Sequence, residues 1–367
     1  MQIPIYKPQL PPYESVEPDI RAMYTSGLLS STAYTAKYTG QLEKRIADIC
    51  GVPFVQTISS CSLGLILVFN ILPKQSKVIM PSFTFNATLQ ALEWNDHVPV
   101  IVDVDDDGQM RPDLAEAALN DHPDAAAIFP VHMWGNACYP EEFEILAKEK
   151  GVHLFFDGAH VFGTTFKGRS LSQFGDGVVY SIAVTKPLSA GEGGLLATTQ
   201  EWVYEGVKEG VAHGLWGSLD TRTRGINGKI QEFNAILALH ALDMFDETKR
   251  RRAQIINTYR TSMSDLPIRI WKTRENVDPS YKDCVLFVSC RAERDRLEMF
   301  MNQKGIGTKR YFDPAVADMG SFKGIVHSTD NGRKLADTCL TIPLYPALTD
   351  LEVQFIISTI RSFYGAH

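Results

Sequence analysis

Two residues of this chain combine costly placement with useful chemistry. Asp157 follows the apolar run Val152 to Phe156 and opens the segment Asp157-Gly158-Ala159-His160. Lys186 follows the run Val178 to Ile182 by way of Ala183-Val184-Thr185. A carboxylate and an amine at the ends of buried strands are expensive unless they are paired or used. Pyridoxal phosphate needs both. A lysine forms a Schiff base with its aldehyde, and a buried carboxylate keeps its pyridine nitrogen protonated so that the ring can act as an electron sink. The same cofactor needs a cradle for its phosphate. Ser59-Ser60-Cys61-Ser62 stands directly before the helical run Leu63 to Leu72, and N–H groups and hydroxyls at a helix N-terminus suit an anion. Ser181, five residues before Lys186, supplies a further hydroxyl, and the glycines of Gly191-Glu192-Gly193-Gly194 let a loop pass close to a ligand. Each piece alone has a plainer reading. Asp157 suits a turn, Lys186 an exposed loop before Pro187, Ser59 to Ser62 a helix cap, and Phe85 a core. The ordered combination carries the signal.

The elements that would position these residues follow from the apolar pattern. Short apolar runs recur at Val78–Met80, Val98–Val102, Ala125–Phe129, Val152–Phe156, Val178–Ile182 and Leu195–Thr198, separated by amphipathic segments such as Pro112–Leu119 and Pro140–Lys150. This alternation predicts an α/β layer with a mostly parallel sheet, and ligands of such sheets bind beyond the carboxyl ends of the strands. From about Gln231 the period becomes helical and runs through Lys249-Arg250-Arg251-Arg252 toward Tyr259, which reads as one long helix with a solvated basic face. Beyond it the chain reads as a strand over Asp283–Cys290 and helices over Arg294–Lys304 and Leu351–Phe363. The expected division is a large domain over 1–240, including the N-terminal segment, and a smaller α+β domain over 241–367, packed together without a Pro/Gly/Ser linker.

With 367 residues, 43 acidic against 36 basic side chains and a net charge of −7, the chain is long enough for two domains and too acidic overall for a nucleic-acid or anionic-membrane surface. Its six cysteines form no C-x-x-C pair and suit neither a zinc site nor a disulfide scaffold, so no metal is expected. The N-terminal MQIPIYKPQLPPYE lacks the apolar core of a signal peptide, and no apolar stretch approaches the roughly 20 residues of a membrane span. A cytoplasmic protein is the expectation.

The order Ser-Cys-Ser, Pro81-Ser82-Phe83-Thr84-Phe85, Asp157-Gly158-Ala159-His160, Ser181 to Lys186, Gly191-Glu192-Gly193-Gly194, His213-Gly214 and Gly225-Ile226-Asn227 resembles the DegT/StrS-type sugar aminotransferases, which are fold type I enzymes that use pyridoxal 5'-phosphate. The likeness continues through Gly305-Ile306-Gly307-Thr308 and Ile342-Pro343-Leu344-Tyr345. It implies a large domain with a mixed, mostly parallel sheet flanked by helices, and a smaller C-terminal α+β domain. It implies that Lys186 carries the cofactor, that Asp157 pairs with the pyridine nitrogen, and that His160 stands near the phenolic oxygen where the family usually has Gln. Phe85 would stack on the ring. Ser60, Cys61, Ser62 and Ser181 would hold the phosphate. Asn227 would reach the phosphate of a neighbouring subunit, making a homodimer with shared sites.

Several positions depart from the family pattern. Ser60-Cys61-Ser62 replaces the commoner Ser-Gly-Thr, Gly228-Lys229 follows Asn227 where an aromatic and Arg are usual, and Val316 stands where His often follows. The last two lie in substrate-facing regions of the family. Lys229, Arg310 and Tyr311 are therefore the substrate candidates, and Arg222, Arg224 and Lys309 are further cations suited to a diphosphate or a donor carboxylate. The resemblance implies transfer of an amino group from L-glutamate to a nucleotide-linked 4-keto-6-deoxy sugar. Alternatives are a sugar dehydratase, a cyclitol-ketone acceptor, or a non-catalytic regulatory protein on the same scaffold. A nicotinamide enzyme lacks its glycine fingerprint.

Overall fold

The computed structural model describes residues 2–30, 37–215 and 219–365. Its main sheet collects β1 (Phe54–Ile58), β2 (Lys77–Pro81), β3 (Val98–Val102), β4 (Ala125–Ile128), β5 (His153–Asp157), β8 (Gly177–Ser181) and β9 (Gly194–Thr198). The short pair β6 (Thr165–Phe166) and β7 (Arg169–Ser170) lies outside it. The order is β1-β9-β8-β5-β4-β2-β3, and β9 alone runs against its neighbours. These strands are almost wholly buried because helices cover both faces, which is why they read as continuous apolar runs rather than as alternating ones. The sheet is mixed and mostly parallel, as the sequence implied.

Local signals set many boundaries. The helices are α1 (Tyr13–Ser26), α2 (Tyr38–Cys50), α3 (Cys61–Asn70), α4 (Asn86–Glu93), α5 (Pro112–Asp121), α6 (Pro140–Lys150) and α7 (Glu201–Val211) in the first part of the chain. Helix α6 has Pro at its first position, two acids in its first turn and left-handed Gly151 at its end, so both termini are written in the sequence. Helix α3 starts and ends two residues earlier than its apolar run suggests, because extended Ser60 caps it and accepts a hydrogen bond from Leu63 N at 3.1 Å.

The expected long helix is instead two, α8 (Glu232–Asp243) and α9 (Phe245–Ser262), broken at Met244 with φ −100° and ψ −1°. Each packs into a different core. Ile236, Ala238 and Leu242 of α8 join the core beneath the main sheet, whereas Ile255, Ile256 and Tyr259 of α9 join a second core. The basic run of α9 is also not one solvated face. Four consecutive residues sweep round a helix, so one must point inward. That one is Arg252, which is buried and donates to the carbonyls of Lys282 and Leu344, while Arg250 stays outside.

The second core is built on the antiparallel sheet of β10 (Arg269–Ile270), β12 (Cys284–Phe287) and β14 (Cys339–Ile342) with α10 (Arg291–Gln303), α11 (Asp330–Thr338) and α12 (Asp350–Phe363). Strand β11 (Val277–Asp278) pairs with β6, and β13 (Ile325–Val326) extends the main sheet beside β3. We propose a domain division near residue 240, supported by the change of core between α8 and α9. Threads that cross it include β11, paired with β6, then β13, and Ile3, which bridges Ile306 and belongs to the second core. None of the described helices is long and apolar enough to cross a membrane.

Candidate active site

Strand polarity brings the chemistry to one edge of the sheet. Parallel β5 and β8 end at Asp157 and Ser181, while reversed β9 begins at Gly194, which pairs with both Ser181 and Ile58. The residues that follow Ile58 cap α3, so its N-terminus arrives at the same edge. The first N–H groups of that helix, on Cys61 and Ser62, have no acceptor within it. Gly194 is what permits the close approach. A Cβ there would lie 2.5 Å from the carbonyl carbon of Ser60 and 2.6 Å from the amide nitrogen of Cys61.

Asp157 is 4% exposed and held from two sides. Thr88 Oγ1 donates to its Oδ2 at 2.8 Å and the Ala159 amide to its Oδ1 at 2.9 Å. Burial pushes its carboxyl up, opposed by these two hydrogen bonds and by the nearby Lys186 charge. Thr88 in turn lies 3.0 Å from Thr84 Oγ1. Sequence reasoning missed Thr88, because only the tertiary fold lays the start of α4 against the end of β5.

Lys186 sits in the connection between β8 and β9, where its amide donates to Ala183 O at 2.9 Å. Burial lowers its ammonium below the usual lysine range, against the pull of Cys61, Asp283 and Asp157. The same burial disfavours the charged form of the amine. His160 is buried between the rings of Trp134 and Tyr311, and its Nδ1 has no hydrogen-bond partner among the described residues. Burial, reinforced by the charges of Lys186, Lys282 and Lys309, keeps its imidazole neutral.

One cavity of about 240 Å³ joins these groups. Ser60, Cys61, Ser62 and Ser181 form its polar end, and Asp157, His160 and Lys186 its centre. Half-exposed Phe85 stands at the rim with its ring 5.9 Å from that of Phe312, and buried Tyr311 closes the far wall. Ser60 Oγ accepts the capping hydrogen bond and keeps its O–H, so the donors of the cradle are the backbone amides and the hydroxyls of Ser60, Ser62 and Ser181. A helix N-terminus, a carboxylate and an amine around one space, with an orphaned ring nitrogen beside it and a strand admitted only by glycine, fit pyridoxal phosphate in the polarity of each part.

Three expected residues lie elsewhere. Arg310 points away from the cavity, paired with Glu298 and with Asp295 at 3.3 Å. Lys229 is partly buried and Asn227 exposed; neither lines the cavity within this single chain. Lys309, one residue before Arg310, does line it. Extended backbone turns alternate side chains to opposite sides, and that alternation is the signal that separates Lys309 and Tyr311 from Arg310.

The geometry agrees with what the chain resembles. The profile of the DegT/DnrJ/EryC1/StrS aminotransferase family matches residues 15–361. The dTDP-4-amino-4,6-dideoxy-D-glucose transaminase of Shigella dysenteriae is 27% identical over 98% of this chain and 99% of its own length. The GDP-perosamine synthase of Escherichia coli O157:H7 is 26% identical over 99% of each. The crystal structure of DesI in the presence of its TDP-sugar product, 26% identical, superposes with a TM-score of 0.91 over 99% of this chain and 93% of that one. The chain therefore belongs to the DegT/DnrJ/EryC1/StrS aminotransferase family and is an aminotransferase.

Proposed function

We propose that this protein transfers an amino group from L-glutamate to the keto carbon of a nucleotide-linked 4-keto-6-deoxy sugar, as a cytoplasmic homodimer with shared sites. The observation that carries the reading is the single cavity bounded by Lys186, Asp157 and the N-terminus of α3. The names of the relatives, which concern amino sugars on dTDP, GDP and TDP, support the acceptor class.

Pyridoxal 5'-phosphate is the cofactor, and when bound it supplies an electron sink for the carbon that exchanges its amine. The protein's residues do the rest. The amides of Cys61 and Ser62, with the hydroxyls of Ser62 and Ser181, bind the phosphate at the positive end of α3. Asp157, fixed by Thr88 and Ala159, holds a proton at the pyridine nitrogen. Neutral His160 offers a hydrogen bond near the phenolic oxygen without adding charge. Lys186 carries the cofactor at rest. Its amine, when free, would accept and return the proton at the substrate's reacting carbon, beside which it is tethered. Phe85 would cover the ring at the mouth, and Asn227 would serve the site of the second subunit.

The intact Lys186 and Asp157 pair favours transamination over a non-catalytic role. The decisive experiment incubates the protein with cofactor, L-glutamate and a panel of keto nucleotide sugars and reads product mass. A product that has exchanged oxygen for an amine supports the reading. A dehydrated product formed without glutamate, or amination only of a cyclitol ketone, would replace it.

A further inference from the structure

The donor proposed above brings a carboxylate beside Lys186, and this inference rests on that reading. A second space of about 50 Å³ adjoins the main cavity, bounded by the N-terminal segment, the turn around Lys186 and the buried residues Lys282 and Asp283. Lys309 and Tyr311 line both spaces, as do Thr185 and Lys186. Five cations face the smaller space, and three of them are otherwise engaged. Lys186 is the reacting amine. Lys282 pairs with Asp283 at 2.7 Å. Arg252 donates to two backbone carbonyls. Lys7 lies on the exposed N-terminal segment and lines the smaller space alone.

Lys309 is different. Among the described residues no acid lies within ion-pair distance of it, whereas its neighbour Arg310 has Glu298 and two aspartates. Its backbone is clamped to β14 by reciprocal hydrogen bonds with Thr341 of 3.1 and 2.8 Å. Its Nζ lies 4.4 Å over the ring of Tyr311, which packs against Trp134 and His160. The result is an unneutralised cation at a fixed place on the wall shared with Lys186. A donor's α-carboxylate is bonded to the carbon that surrenders its amine, so it must lie next to Lys186. The diphosphate of a nucleotide sugar is held off from its reacting carbon by the sugar ring.

We propose that Lys309 binds the α-carboxylate of the amino donor and so selects an α-amino acid for the first half of the reaction. The two half-reactions can be read separately: cofactor absorbance after adding L-glutamate alone, and consumption of a keto nucleotide sugar by the aminated enzyme. Lys309→Met should lower kcat/KM for the glutamate half-reaction about 10- to 100-fold, the loss of one charge-assisted hydrogen bond, mostly through KM. Lys309→Arg should restore much of it, and the acceptor half-reaction should be unchanged. Because Lys309 is exposed and its backbone bonds survive substitution, both variants should keep the wild-type melting temperature and cofactor spectrum. An unchanged glutamate half-reaction in Lys309→Met overturns the proposal, and so does a loss confined to the acceptor half-reaction, which would assign Lys309 to the diphosphate. If wild-type enzyme is inert to L-glutamate, the donor named above is wrong; the same comparison is then read with L-glutamine and L-aspartate, and inertness to all three overturns both statements.

Discussion

Two walls of the same cavity are made by opposite means. On one side, the ends of β5 and β8, the start of β9 and the cap of α3 meet at a sheet edge, and their chemistry comes from backbone amides, small side chains and one buried carboxylate with both oxygens bonded. On the other, the segment from Lys309 to Phe312 presents large side chains from the second core, with a cation that no acid among the described residues pairs with. The first wall is tight enough that a single methyl group at Gly194 would collide with it. Such a difference suits a common cofactor held rigidly on one side and variable substrates met on the other.

If the strand-end wall carries the chemistry, Lys186→Ala should give the largest effect, a loss of about 10⁴-fold in single-turnover rate with the fold intact. Retained transfer would place the chemistry elsewhere. Asp157→Asn should follow, with kcat lowered about 10²- to 10³-fold, because a neutral amide cannot hold the proton at the pyridine nitrogen. Full turnover in that variant would remove Asp157 from its role. Gly194→Val should act on binding rather than on the chemical step. The displaced Ser60–Cys61 backbone should weaken cofactor affinity about 10- to 100-fold by equilibrium dialysis, in line with an overpacking cost of about 1–3 kcal/mol. Wild-type affinity would show that β9 does not set the cradle.

A pH measurement sharpens the same contrast. His132 donates its amide to Asp157 O at 3.0 Å and lies beneath the strand-end wall, where burial holds its imidazole down to about 3. The unfolded chain protonates this residue near its ordinary value of about 6.5. Between the two values the unfolded state carries one more proton, so stability falls as pH drops from about 6.5 toward 3, by about 1.4 kcal/mol per pH unit. Chemical denaturation of His132→Asn should show an acid limb shallower by one proton; an unchanged slope would put the loss on other groups. The smallest effect is expected on the opposite wall's outward side. Arg310→Gln breaks only partly exposed ion pairs, so stability should change by less than about 1 kcal/mol and both half-reactions should be unaffected. A rise in either KM would bring Arg310 back to the substrate.

The strand-end wall was legible in the sequence because its parts are local. Asp157 and Lys186 each follow a buried run, and Ser60 directly precedes α3. The sheet strands were legible for the same reason, since burial on both faces writes them as apolar runs. The break at Met244 was not legible, because it comes from two cores competing for one helical pattern. Thr88 was hidden as well: an ordinary threonine in the first turn of a helix becomes a partner of Asp157 only when β2 and β5 are brought into one sheet.

By itself the sequence determined the α/β rhythm, the order of the motifs and the residue types that could hold a phosphate, a pyridine nitrogen and an aldehyde. These depend on neighbours along the chain. The tertiary structure decided which side chains share a space. It set Lys309 along the cavity and Arg310 away from it, put Arg252 of the basic run into the core, and left Asn227 and Lys229 outside the cavity of their own chain. Those outcomes depend on strand polarity, on the alternation of an extended segment and on contacts between residues more than a hundred positions apart, none of which a linear pattern records.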